Sequence, residues 1–292
     1  MKYLLIFIFL GLMMSCSGSK KTVAKAPSTS APKPSISSDT LQSPSTDTAE
    51  IIDSLEVNAS ENQTEIIKES GQKDGTVSTN FSHSTFNDLL QKHVSAHENV
   101  NYKGFKSDWK SLNNYIKELD KNLPNNNTPK QEKLVYWINA YNAMTIDLIL
   151  RHYPIKSIKD IKNPWKQRYW KLGEKWYNLD EIEHQILRKM NEPRIHFAIV
   201  CASYSCPKLQ NEAFTASNLE AQLAKVTSEF LNDPERNFIS EDQLELSKIF
   251  QWFAKDFKQN GSLIDFLNQY SEVTISEGAK IRYKDYNWDL ND

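Results

Sequence analysis

From residue 81 onward, apolar positions recur mainly at helical spacing. Phe86–His97 predicts a short amphipathic helix. Trp109, Leu112, Tyr115, Ile116 and Leu119 predict a second, capped by Ser107 and running to about Lys121. After a loop at Leu123–Asn127, Thr128 as N-cap and Pro129 at the first helical position open a long helix to about Tyr153, where Pro154 stops it. Its stretch VYWINAYNAMTIDLIL (Val135–Leu150) is apolar nearly all round, the pattern of a helix buried on every side. Asn139, Asn142 and Thr145 interrupt it at i, i+3 and i+6 and share one face. A buried amide without partners costs about 1–3 kcal/mol. The stripe must therefore meet backbone, bound water or a site. Pinning of neighbouring loops and lining of a pocket both remain open.

Arg168–Leu172 and Lys175–Leu179, around Gly173-Glu174, predict a β-hairpin. Asp180 is then expected to cap a helix over Glu181–Met190, with Glu183 and His184 in its middle. Arg194–Leu209, RIHFAIVCASYSCPKL, is the stretch around which the rest is organised. Its β-branched and aromatic residues, apolar on both faces, predict a central strand with His196 inside it. Cys201, Ser203, Ser205 and Cys206 follow. Downstream, Ser217–Asn232 reads as an amphipathic helix, and Arg236–Ser240 with Gln243–Ser247 as a second hairpin. Ile249–Phe257 and Ser262–Tyr270 read as short helices split by Gly261, and Lys280–Leu290 as a last strand docking Tyr283, Tyr286 and Trp288. The fold class expected is α+β: a helical majority around a small, mostly antiparallel sheet, with a long buried central helix.

The first 80 residues follow a different pattern. Lys2 and the apolar run Tyr3–Met14 form an export signal, too short for the roughly 20 residues that span a bilayer. Leu12-Met13-Met14-Ser15-Cys16 resembles the lipobox of bacterial lipoproteins, which implies lipidation of Cys16. With Ser17 next, it also implies sorting to the outer membrane of the cell envelope. Residues 17–80 contain no Phe, Tyr or Trp and are rich in Ser, Thr, Pro and Lys, as in a disordered tether. As a flexible coil this tether would reach on the order of 45 Å. Residues 81–292 contain all seven tryptophans, and their acidic and basic residues are equal in number. That balance offers no basic footprint for nucleic acid. A membrane, reached through the lipid on Cys16, is the partner the sequence implies.

Candidate chemistry concentrates around the organising stretch. One reading is a thiol enzyme, a hydrolase or transferase. Cys206 would be the nucleophile, His196 or His184 the base, and Glu183, Asn139 or Asn142 the group that orients it. A second is structural, a Cys201–Cys206 disulfide, which beyond the inner membrane is chemically allowed. A third is a zinc site from His184, His196, Cys201 and Cys206, whose spacing matches no standard finger. The reading preferred is a binding or scaffolding module without metal or cofactor. Its polar cluster would be built from Asn139, Asn142, Glu183, His184, His196, Ser205 and Cys206.

Four stretches, YWINAYNAMTI, LDEIEHQILR, IHFAIVCASYSCPKL and YNWDLN, joined by SKIFQWFAKDF, together resemble the domain of unknown function 547 (DUF547) family. The resemblance runs from about Leu134 to Asn291. Family members usually have Asp where Asn287 stands and Ser where Asp289 stands. It implies a bacterial lipoprotein whose domain has no settled activity.

Overall fold

The computed structural model describes residues 81–95 and 99–292. The expected signal peptide, with Cys16, and the expected tether over residues 17–80 lie outside the described residues. Among the described residues no helix is long and apolar enough to cross a membrane.

The axis of the domain is α4, Lys130–His152, buried without a break from Leu134 to Leu150. Thr128 does not cap it. Its Oγ1 instead accepts the Asn125 N–H within the preceding loop, and the helix starts after Pro129. Against it pack α2 (Tyr102–Ser107) and α3 (Trp109–Lys121), and α1 (Ser84–His93) packs on those two. The helix expected after Ser107 thus has a forerunner, α2, closed at Asp108 before α3 begins. A charged group also lies inside this packing. Asp147 is fully buried, and its carboxylate accepts from Trp109 Nε1 (2.6 Å), Trp170 Nε1 (2.7 Å) and Arg151 Nε (2.7 Å).

The first hairpin forms as expected, with β1 (Trp170–Leu172) antiparallel to β2 (Lys175–Tyr177) and Gly173 in the left-handed region at its turn. The following helix departs from expectation. Its cap is Asn178, whose side chain accepts the Glu181 N–H, not Asp180. After one α-turn, α5 (Leu179–Glu181), it widens into a π-helix over Ile182–Ile186 and narrows to a 3-10 turn over Leu187–Met190. Ile182 and Leu187, five residues apart across the π-turn, are both fully buried.

The largest correction concerns the organising stretch. Ile195–Ala198 is not a central strand but a single helical turn, α6. Phe197 is surrounded by Phe230, Phe250, Phe257 and Phe266, and Asn142 of α4 grips the backbone on both sides of Ile199. Four apolar residues buried on all sides fit a helical turn as well as a strand, and these contacts decide it.

Helix α7 (Leu219–Asn232) packs on α6. The second hairpin, β3 (Phe238–Ile239) with β4 (Gln243–Leu246), is antiparallel, and β5 (Lys280–Tyr283) adds to β4 in parallel. Helices α8 (Lys248–Trp252), α9 (Ala254–Phe257) and α10 (Leu263–Asn268) form the connection. The class is α+β, with a helical majority and two small, mostly antiparallel sheets.

Candidate functional site

A cleft of about 660 Å³ lies where the π-helix, α6, the 201–206 loop and α8 meet, within the roughly 300–1,000 Å³ usual for ligand sites. Glu183, His184, His196, Cys201 and Cys206 line it together with Tyr141 of the central helix. The structure therefore gathers four of the expected cluster residues, Glu183, His184, His196 and Cys206, around one opening. Three others it uses elsewhere. Asn139 donates to Phe214 O (2.9 Å) and accepts from Phe214 N (3.0 Å). Asn142 donates to Ala198 O (2.9 Å) and accepts from Val200 N (3.0 Å). Ser205 Oγ accepts the Asn287 N–H (2.9 Å). All three fasten backbone and are not among the residues lining the cleft.

The expected Cys201–Cys206 disulfide is not formed; both thiols are free. Their loop is a tight reversal in which Ala202 adopts φ 57°, a strained value for a residue with a Cβ, and Cys206 N–H donates to Ser203 O (3.0 Å). The reversal aims the two sulfurs differently. Cys206 is buried, and its Sγ accepts the Cys201 N–H at 2.8 Å. Burial pushes the Cys206 thiol up, and its hydrogen bond to Cys201 adds to that. Cys201 is only partly buried, and its Sγ has the Ser203 hydroxyl at 3.0 Å and the Tyr286 hydroxyl at 3.2 Å. Burial opposes its ionisation, but hydrogen bonds from Cys206, Ser203 and Tyr286 outweigh burial and bring the thiol down to about 7. Hydrogen bonding and burial thus bias the two sulfurs in opposite directions, Cys201 toward thiolate and Cys206, the expected nucleophile, toward thiol.

Neither histidine hydrogen-bonds a thiol. His196 Nε2 donates to Asp256 Oδ2 (2.8 Å), and its ring stacks on Phe253 with centroids 3.9 Å apart. Arg188 clamps the same carboxylate through Nε (2.6 Å) and a second guanidinium N–H (2.9 Å), and also donates to His184 Nδ1 (3.1 Å). Asp256 is held well below the usual carboxylate range by these partners, against the opposing effect of its partial burial. Burial lowers the His196 ring, and Asp256 works against that. The folded ring therefore binds its proton less tightly than the unfolded one. Its contribution to stability is complete above about pH 6.5 and shrinks as pH falls below it. Replacing Asp256 by Asn removes the opposing charge, so the His196 ring should titrate lower still. A ring-nitrogen NMR titration showing no change, or an upward shift, would rule out this coupling.

Glu183 is the remaining titratable group. Burial raises its carboxyl above the ordinary glutamate value, and charge on Cys201 raises it further, against the nearby His184 and a 3.2 Å hydrogen bond from Tyr141. Among the described residues no group of three or more His, Cys, Asp or Glu is placed to hold a metal ion, so the alternative zinc set does not assemble.

The residues that sequence reasoning overlooked are those around the thiol and the histidine. Asp256 and Arg188 lie on ordinary-looking amphipathic segments. Tyr286 and Trp288 come from the YNWDL segment, which lies between two loops. Tyr204 and Ser205 N–H groups donate to Asp289 and Asn287 carbonyls on one side, while the Ser157 hydroxyl donates to Trp288 O (2.7 Å) and Leu290 N–H to Lys156 O (2.8 Å) on the other. In that position Trp252, Tyr286 and Trp288 form one aromatic wall, with Trp165 edge-on to Trp288.

The chain matches no curated protein and no solved structure. The family match covers α4, the first hairpin, the π-helix, the cysteine loop and most of α7, and stops before Asp256 and the YNWDL segment. Residues 125–231 match the family described as "Protein of unknown function, DUF547", which supports placing this domain in that family.

Proposed function

We propose that the cleft is a ligand site with thiol chemistry centred on Cys201, in an acyl transfer or hydrolysis. The observation that carries this reading is the Cys201 sulfur. It opens toward the cleft from a strained turn, with the Ser203 and Tyr286 hydroxyls within hydrogen-bond reach and a proton affinity lowered to about 7. In the step proposed, the Cys201 thiolate attacks a carbonyl carbon and forms a thioester. The leaving group takes a proton from Glu183, which burial biases toward the protonated form. Water or a second nucleophile then releases the acyl group and returns the proton. We further propose that the domain works at the cell envelope, tethered through a lipid on Cys16.

A binding or scaffolding role without chemistry is the second reading. It is favoured by one observation: both histidines are engaged with Arg188 and Asp256 instead of a thiol. Alkylation by iodoacetamide as a function of pH, with the labelled site identified by mass spectrometry, decides between the two. Cys201 should react first, with a midpoint near pH 7, and Cys206 only on unfolding. Equal reactivity of both thiols, with ordinary midpoints near pH 8.5, would leave binding as the function.

A further inference from the structure

The rim of the cleft carries a charge pattern that neither the thiol nor the histidines explain. Between α4 and β1 the chain runs KSIKDIKNPWK from Lys156 to Lys166. It folds as two single 3-10 turns, Ile158–Asp160 and Pro164–Lys166. Ile158, Ile161 and Pro164 turn inward and are buried, which leaves Lys159, Lys162 and Lys166 exposed along the cleft. The one acid in the stretch, Asp160, forms no ion pair with them; its carboxylate accepts the Lys156 and Ser157 N–H groups in a capping box. The Lys159 ammonium sits 3.9 Å above the Trp288 ring, and the side chains of Lys162 and Lys166 form no ion pair among the described residues. The carboxyl groups along the cleft are Asp180, paired loosely with His184 at 3.8 Å, and Glu183, which burial biases toward its neutral form; His196, Cys206 and Cys201, the last a source of negative charge when ionised, lie with Tyr141 and Tyr286 along the same cleft.

An aromatic wall faces this collar. Trp252 and Trp288 lie near parallel with centroids 5.9 Å apart, Tyr286 touches both at 4.8 and 4.5 Å, and Trp252 remains about half exposed. A half-exposed indole beside ammonium groups that make no ion pair suits a molecule with a flat or apolar body and a negative charge at one end.

We propose that the cleft selects anionic ligands, with the body against Trp252, Tyr286 and Trp288 and the anionic group among Lys159, Lys162 and Lys166. The proposal rests on reading this cleft as the ligand site, and it names the substrate class: carboxylate-bearing acyl compounds over neutral or cationic ones.

Three probes on one aromatic body test it on the whole chain: 1-naphthaleneacetate, its isosteric neutral amide and 1-naphthylmethylammonium. In calorimetry at low salt the carboxylate should bind on the order of tenfold more tightly than the amide, and the ammonium more weakly than both. The preference should shrink in 0.5 M salt, where the Debye length falls to about 4 Å. In the triple variant Lys159→Gln, Lys162→Gln, Lys166→Gln it should be lost, while Trp252→Ala should weaken all three probes alike. An ammonium bound as tightly as the carboxylate, an undiminished preference in the triple variant, or no binding of any probe overturns the proposal. Thiol reactivity is read separately. A Cys201 midpoint near 7 in a protein with no charge preference overturns this inference alone. Charge preference in a protein with ordinary thiols overturns only the thiol chemistry.

Discussion

Asp147→Ala should cost the domain roughly 3–5 kcal/mol, the loss expected when one partner of a buried charge network is removed. The carboxylate is fully buried and serves two indole N–H groups and Arg151. Alanine leaves the two indole N–H groups without an acceptor, at roughly 1–3 kcal/mol each, and leaves the Arg151 guanidinium, 32% exposed, to water over Trp109 and Tyr169. Domains of this kind have about 5–15 kcal/mol in total, so such a loss is a large fraction of the whole. Asp147→Asn keeps one acceptor oxygen and turns an amide N–H toward a donor, so its cost should lie between that of alanine and zero. Urea unfolding followed by tryptophan emission measures both, and Trp109 and Trp170 report the site directly. A loss below about 1 kcal/mol for alanine would mean that water replaces the carboxylate, and that the network is not what holds α3 and β1 to α4.

Asn142→Leu should have nearly as large an effect and a second consequence at the thiol. Leucine matches the amide in shape but strands Ala198 O and Val200 N–H, two buried backbone groups, at roughly 1–3 kcal/mol each. Those groups flank Ile199 and set where Cys201 emerges. Once they are released, the hydroxyls of Ser203 and Tyr286 no longer meet the sulfur, and the midpoint of Cys201 alkylation should rise from about 7 toward the ordinary 8.5. The midpoint is the informative quantity. A more basic thiolate is also a better nucleophile, so the rate at pH 7 changes less than the ionised fraction does. Asn139→Leu is the matched control. It strands Phe214 O and N–H in the same way but sits off the cysteine loop, so it should destabilise comparably and leave the midpoint alone.

These two asparagines also show how far the sequence could be read. Their shared face and their need for partners followed from helical geometry. The backbone they grip did not, because nothing local in Ala198, Val200 or Phe214 marks a carbonyl as awaiting an amide. The long helix was legible because its apolar run is longer than any strand. The hairpins were legible because Gly173 and the Glu241-Asp242 pair break alternating stretches. Ile195–Val200 was misread for the opposite reason: a short run apolar on every side carries no period, and β-propensity then outweighs a tertiary preference that only the packing of Phe197 reveals. At the cleft, Cys, His and Glu could be picked out by their chemistry. Asp256 could not, since its partner His196 lies 60 residues away, and the lysine collar looks like any solvated surface until Trp288 is brought against it.

The placement of the YNWDL segment makes the thiol's surroundings a long-range property of the chain. Tyr286 completes the hydrogen bonding of Cys201 from 85 residues away in sequence. It reaches the cleft, with Trp288, because the strip from Asn287 to Leu290 docks between the 156–157 and 201–206 loops. A chain with that strip undocked keeps both cysteines but lacks the tyrosine hydroxyl and most of the aromatic wall, so undocking alone would return Cys201 toward an ordinary thiol.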